Sequence, residues 1–209
     1  MKLKLILLLF TFINITICSG EESFNISSLD SLNSNNLPYD KKIIINTIKK
    51  WQNYSYKNDK LNCQYHPSCS NFFAQSIINN NTYFGIIKGT DGIIRCNVYA
   101  IDYHKNTYKA EYLYDGRIID YINPTINPTS PKNSLVSTLL SVIPGAGRAY
   151  SGRPIDGLIS FSTIVLLSQT SYIQHNKGNH YISIPSGMIT LTLWLSDFYG
   201  AYRSSRVAK

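Results

Sequence analysis

Apolar residues change their spacing several times along the chain, and each change predicts a different element. MKLKLILLLFTFINITICSG opens with Lys2 and Lys4, runs apolar over residues 5–17 and closes on small residues. That order predicts an export signal over residues 1–20, its apolar run too short for a comfortable span. Residues 21–40, rich in Ser and Asn, bury little and read as a polar linker. KKIIINTIKKWQNYSYK, residues 41–57, then repeats its apolar positions with a helical period. At roughly 100° per residue, Ile43, Ile44, Thr47, Ile48, Trp51 and Tyr54 share one broad side. Lys42, Asn46, Lys49, Lys50 and Asn53 take the other. Such a basic amphipathic helix suits two placements: flat on an anionic membrane surface, or packed on its own domain with solvated lysines.

Residues 98–122 alternate tyrosines with polar residues around Lys-Asn and Asp-Gly turn positions, which predicts a small three-stranded β-meander. A Pro-rich linker follows over residues 123–133, with Asn-Pro-Thr twice. Beyond it stand three apolar segments, NSLVSTLLSVIPGAG, GLISFSTIVLLSQTSYI and ISIPSGMITLTLWLSDFYGAY. At about 1.5 Å per residue each approaches the thickness of a bilayer's hydrocarbon layer, so residues 134–209 are expected to be membrane-embedded. In such a topology Arg148, Arg153, Arg203, Arg206 and Lys209 fall on one side, with only Lys177 in the loop on the other. Asp197, near the end of the last segment, is expected to be solvated at the interface. The predicted fold is mainly α: a small helical Cys-containing domain with a short β-meander, followed by a transmembrane helical hairpin or three-segment membrane domain.

Composition sharpens the partner. Only 15% of the 209 residues are charged, 44% are hydrophobic, and the net charge is +8. A basic excess suits nucleic acid or an anionic membrane equally. Here the lysines and arginines sit beside apolar segments and form no stripe with interleaved aromatics. Membrane lipids are therefore the expected partner, with no nucleic acid, small-molecule substrate or cofactor.

The chemistry concentrates in CQYHPSCSNFFAQSI, residues 63–77, and in GIIRCN around Cys96. Pro67 stiffens the link from Cys63 to Cys69, and Ser70 is placed to cap a helix beginning at Asn71. Gly85, Gly89, Gly92 and Cys96 recur at i, i+4, i+7 and i+11. On a helix they form one smooth stripe against which another backbone packs closely. That packing returns Cys96 toward Cys63 and Cys69. If Cys18 leaves with the signal, an odd count of three cysteines remains, which argues against a fully paired disulfide framework. Acylation of Cys18 is the weaker alternative, because Ile17 is bulky. Four roles stay open for the three sulfurs. Cys63, His66, Cys69 and Cys96 have the make-up of a zinc site; two of the cysteines suit a disulfide in an oxidising compartment; burial as small hydrophobes is the common fate of cysteine. A catalytic Cys–His pair needs an orienting group and an oxyanion site, which no pattern here supplies. No catalytic residue and no resident metal are expected.

Together, CQYHPSCSNFFAQSI and GIIKGTDGIIRCN resemble the membrane protein insertion efficiency factors, the YidD family. Cys63, Tyr65, Pro67, Ser68, Cys69, Ser70 and Phe72 match the family's first block, with Gln64 where Arg is usual. Gly85, Lys88, Gly89, Arg95, Cys96 and Asn97 match its second. The resemblance covers residues 41–97. It implies a non-enzymatic accessory to membrane-protein biogenesis working near a YidC-type insertase, attached through the amphipathic helix. Lys42, Lys49, Lys50 and Trp51 are then the membrane-surface contacts. His66 stands at a position that varies in the family, so a required fourth ligand is not implied. A bacterial inner membrane follows, with the soluble part on the periplasmic side if the signal acts as one. The rival reading is a structural or adaptor protein of the envelope that keeps the fold, held by zinc or a disulfide. A looser resemblance links PGAGRAYSGRPIDG, residues 144–157, to the turn of small bacterial membrane-hairpin domains.

Overall fold

The computed structural model describes residues 37–55, 63–97, 99, 111–121, 123 and 132–207. The expected export signal, Cys18 with it, and most of the polar linker lie outside the described residues. Described residues up to 123 belong to one compact unit and those from 132 to a second.

Among the described residues the first unit is built on three helices. Helix α1 (Tyr39–Ser55) buries Ile45, Gln52 and Ser55. Ile45 forms a core with Ala74 and Ile77, against which Ile44, Ile48, Phe73 and Ile86 pack. The Lys41 ammonium donates to the carbonyls of Ile78 (3.3 Å) and Asn80 (2.6 Å). It thereby satisfies acceptors left over at the end of α2 (Cys69–Asn79). Helix α3 (Thr82–Arg95) follows after a short turn, with Asn81 as its N-cap accepting from the Phe84 N–H at 2.8 Å. The N-cap of α2 is Ser68, whose hydroxyl accepts from the Asn71 N–H. This corrects the expectation that Ser70 caps a helix starting at Asn71. The helix begins two residues earlier, and the Ser70 hydroxyl instead accepts from Gln52 at 3.0 Å.

The glycine stripe sits where α3 crosses α2. A Cβ on Gly85 would lie 2.7 Å from the Ser76 carbonyl oxygen and 2.8 Å from the Ile77 Cα. One on Gly89 would meet the Phe73 ring at 2.6 Å, and one on Gly92 the Phe72 ring at 2.7 Å. The missing side chains set the spacing between the two helices.

Among the described residues the β component is one short parallel pair. Strand β1 (Tyr65–His66) pairs in parallel with β2 (Ile118–Ile119), Tyr65 opposite Ile118 and His66 opposite Ile119. Residues 111–119 turn back at Asp115 and Gly116, the latter at φ 86°. The Leu113 N–H donates to Arg117 and the Ile119 N–H to Glu111, both at 2.9 Å. Only this turn of the meander falls on described residues. Ile118 is buried, because its strand runs beside Tyr65.

The second unit holds α4 (Ser134–Leu140), α5 (Ala146–Tyr150), α6 (Pro154–Asn176) and α7 (His180–Val207). Helices α6 and α7 form a hairpin closed by Gly178 at φ 71°. The expected transmembrane domain is overturned here: among the described residues no helix is long and apolar enough to cross a membrane. Length is not what fails, since the 23 residues of α6 extend about 35 Å. Ser160, Ser162, Thr163, Ser168, Gln169, Thr170 and Ser171 interrupt its apolar run.

The interior of this unit is polar. Arg148 and Asp197 are fully buried and joined at 2.6 Å from Nε to Oδ1. Asp197 also accepts from the Ser160 hydroxyl at 2.8 Å and from the Gly145 N–H at 2.7 Å. Arg148 donates further to the Ser196 carbonyl at 3.1 Å. Asp197 is thus an interior anchor and not the solvated interfacial residue expected of it. Ser137 and Ser151 share a hydrogen bond at 2.5 Å, and both hydroxyls lie within reach of the Ala201 carbonyl, to which one can donate while the other donates to its partner serine. Gly145, at φ 80°, admits the Gly157 carbonyl where a Cβ would stand 2.0 Å from its oxygen.

Candidate functional site

Three elements deliver one sulfur each. Cys63 lies just before β1, Cys69 is the first residue of α2, and Cys96 is the C-cap residue of α3. The Sγ atoms of Cys63 and Cys69 are 3.0 Å apart, and those of Cys63 and Cys96 are 3.7 Å apart. All three lie within 4.8 Å of one another. The Cys69 N–H donates to the Cys63 sulfur at 3.2 Å. Buried Tyr65 and Ile118 form the apolar floor on which the half-buried sulfurs rest. The glycine stripe explains why Cys96 arrives there: it continues the face of α3 that meets α2.

Arg95, next to Cys96, holds this arrangement from below. Its Nε donates to Asp91 and its Nη1 to Asp120, each at 2.8 Å. Its guanidinium lies over the Phe72 ring at 5.1 Å and the Tyr65 ring at 5.9 Å. Burial works against the charge, but Asp120 and Asp91 overcome it and hold Arg95 protonated well above the ordinary arginine value. The Tyr65 hydroxyl donates to the Arg95 carbonyl at 3.2 Å, tying β1 to the end of α3. Lys88, also buried, donates to Asn123 at 2.7 Å. Sequence reasoning matched Arg95 only as a motif residue and missed both aspartates. Asp91 had a signal, an i, i+4 charge pair on one helix; Asp120 is 25 residues away and had none.

His66 does not join the sulfurs. The residues whose ligand atoms converge, among those described, are Cys63, Cys69 and Cys96 alone. His66 is a strand residue whose carbonyl accepts from the Asp120 N–H at 2.8 Å. Burial, aided by the charge of Arg117, pushes its imidazole below the ordinary histidine value. Pro67 follows it through a cis peptide bond. Chemically the trio is a cluster of soft donors with an orienting N–H.

Helix α1 packs on its own domain and leaves part of its expected apolar side exposed. Ile45 and Gln52 face the core, whereas Ile43, Trp51 and Tyr54 remain exposed. The Trp51 and Tyr54 rings lie 6.0 Å apart. Lys50 is exposed beside them, and Lys42 and Lys49 are half-buried.

Residues 40–106 match the YidD family. The family is described as "Putative membrane protein insertion efficiency factor". Its match starts one residue before the stretch marked out by the motifs and runs nine residues past it. A "Putative membrane protein insertion efficiency factor" of Thermotoga neapolitana is similar to the chain, 28% identical over 57 residues. That similarity spans 27% of this chain and 72% of the relative. No solved structure matches the chain. The cysteine trio, the glycine stripe and Arg95 all lie inside the YidD segment, and the described residues of the second unit, from 132 on, lie outside it.

Proposed function

We propose that the chain is a non-enzymatic accessory of membrane-protein insertion that works on a membrane surface beside a YidC-type insertase. The observation that carries this reading is the coincidence of the YidD match with a fold that uses the matched residues. The three cysteines meet, the three glycines lie in a helix crossing, and Arg95 is locked beneath them. Surface attachment is supported from two places. On α1, Ile43, Trp51 and Tyr54 are exposed beside Lys50, a pairing of aromatic and basic groups that suits lipid headgroups. On the second unit, Leu135, Leu139, Val142, Ile143, Leu158 and Met188 are each at least 60% exposed. Apolar exposure on that scale marks a surface that meets lipid or protein. The membrane is a bacterial inner membrane, and the sulfur-bearing unit lies on its periplasmic side. The test is insertion of a reporter membrane protein in cells lacking this chain. Slower insertion, restored by the intact gene, is the expected result; unchanged insertion overturns the reading.

A further inference from the structure

The cysteine trio has a geometry that packing alone does not require. We propose that Cys63, Cys69 and Cys96 form a three-thiolate site for one thiophilic d10 cation, Zn2+ or Cu+. The convergence of all three sulfurs within 4.8 Å is the observation behind it. Around zinc, with Zn–S near 2.3 Å, tetrahedral thiolates stand about 3.8 Å apart. The Cys63–Cys96 separation of 3.7 Å already matches that spacing. The Cys63–Cys69 pair, at 3.0 Å, has only to open by a fraction of an ångström.

A disulfide is the competing fate and uses the site less completely. It would join two sulfurs at about 2.05 Å and leave the third thiol idle beside them. A cation engages all three at once. Thiolate, the form that binds metal, is also favoured here in two ways. The Cys69 N–H points at the Cys63 sulfur from 3.2 Å, the kind of outer hydrogen bond that fixes a metal-bound thiolate. Cys69 itself occupies the first position of the 11-residue α2, where the helix dipole favours negative charge. Among the described residues no imidazole or carboxylate belongs to the group, and soft donors of this kind select zinc or copper(I) over magnesium or calcium. All three cysteines are half-buried, so a fourth position is accessible to water or to a partner's ligand. Because each sulfur comes from a different element, the site exists only in the folded unit, and metal binding stabilises that fold.

The inference goes beyond the insertion role, and its readout does not involve insertion. The full chain, reduced and stripped of metal, is used with Cys18→Ser, so that every remaining thiol of the four-cysteine chain belongs to the trio. Zn2+ is added and counted per chain, Co2+ is added in parallel to read thiolate-to-metal charge-transfer absorption, and Cu+ is then offered in competition. One ion per chain, three thiols withdrawn from alkylation and a thiolate–cobalt band are expected. Displacement of Zn2+ by Cu+ one for one identifies copper(I) as the preferred ion at the same sulfurs. His66→Ala is expected to retain the full equivalent, and Cys96→Ser to weaken binding tenfold or more. Should Cys96→Ser lose its helical circular dichroism, the cobalt spectrum of the otherwise unaltered chain decides alone. A reduced chain that holds neither ion and gives no thiolate–cobalt band overturns the proposal.

Discussion

The two units put their polarity in opposite places. In the first, Ile45, Tyr65, Phe72, Ala74, Ile77 and Ile118 are buried, and buried charge is held by named partners: Arg95 between two aspartates and Lys88 on Asn123. In the second, the most buried side chains include Arg148, Asp197, Ser137, Ser141, Ser151, Ser196 and Ser205, while leucines, isoleucines and Met188 lie outside. Only Ile164 and Ala201 represent apolar residues in its buried set. The first unit has a core that water drives together. The second is specified inside by hydrogen bonds, and its apolar exterior calls for an apolar neighbour. The YidD match ends at residue 106, ahead of the described residues of the second unit, and these carry most of the exposed large apolar side chains among the described residues.

Substitutions can break this contrast in order of severity. The largest effect is expected from Asp197→Ala, which strands the Arg148 guanidinium in a closed interior. Removing one partner of a buried pair costs about 3–5 kcal/mol. Trp51 and Trp194, the chain's two tryptophans, fall one in each unit, so denaturant titration of a Trp51→Phe background reads the second unit alone. Replacing both ends, Arg148→Met with Asp197→Leu, is expected to recover most of the loss, because apolar isosteres remove the desolvation cost. If the single change is harmless, a polar interior does not specify this unit.

Next comes Gly85→Val, which tests the first unit. The new side chain meets the backbone of Ser76 and Ile77, which cannot swing aside as a flexible side chain does. A loss of about 1–3 kcal/mol is expected, as for other overpacked contacts. Slower crosslinking of Cys96 to Cys63 by a short bis-thiol reagent would confirm that the helices have parted. Ser68→Ala follows, removing the α2 cap at a cost of roughly 1 kcal/mol, whereas Ser70→Ala is expected to leave helix formation unaffected. Thermal melts of the two variants separate cap from neighbour.

The smallest stability change is expected where apolar residues face outward. Leu139→Ser should shift unfolding by less than about 0.5 kcal/mol, as surface substitutions do. Yet it should reduce partitioning of the chain onto vesicles of anionic lipid, measured by sedimentation. An Ile77→Ser change in the first unit should do the reverse, weakening the fold strongly. Equal effects of the two would erase the contrast.

Local signals in the sequence were the readable ones. The period of residues 41–57 predicted a helix that forms over Tyr39–Ser55, and the glycine spacing predicted the close crossing that returns Cys96. Asp115 and Gly116 turn where an Asp-Gly pair should. What failed depended on direction or distance. Hydropathy along residues 134–209 counts Leu and Ser without knowing which way each points. In the fold many of the serines are turned inward and many of the leucines outward, which a run of apolar letters does not reveal. The parallel pairing of Tyr65 with Ile118 spans more than fifty residues and rests on two residues per strand, too little to carry a pattern. Ser68 and Ser70 are equally good caps on paper; the turn that delivers Cys69 decides between them.

The distribution of the sulfur site along the chain also sets a timetable for its assembly. During synthesis Cys63 and Cys69 leave the ribosome six positions apart and meet at once, whereas Cys96 follows only when α3 has wound against α2. Asp120, the latch on Arg95, emerges later still. A nascent chain therefore passes through an interval in which two sulfurs already face each other and the third has yet to arrive.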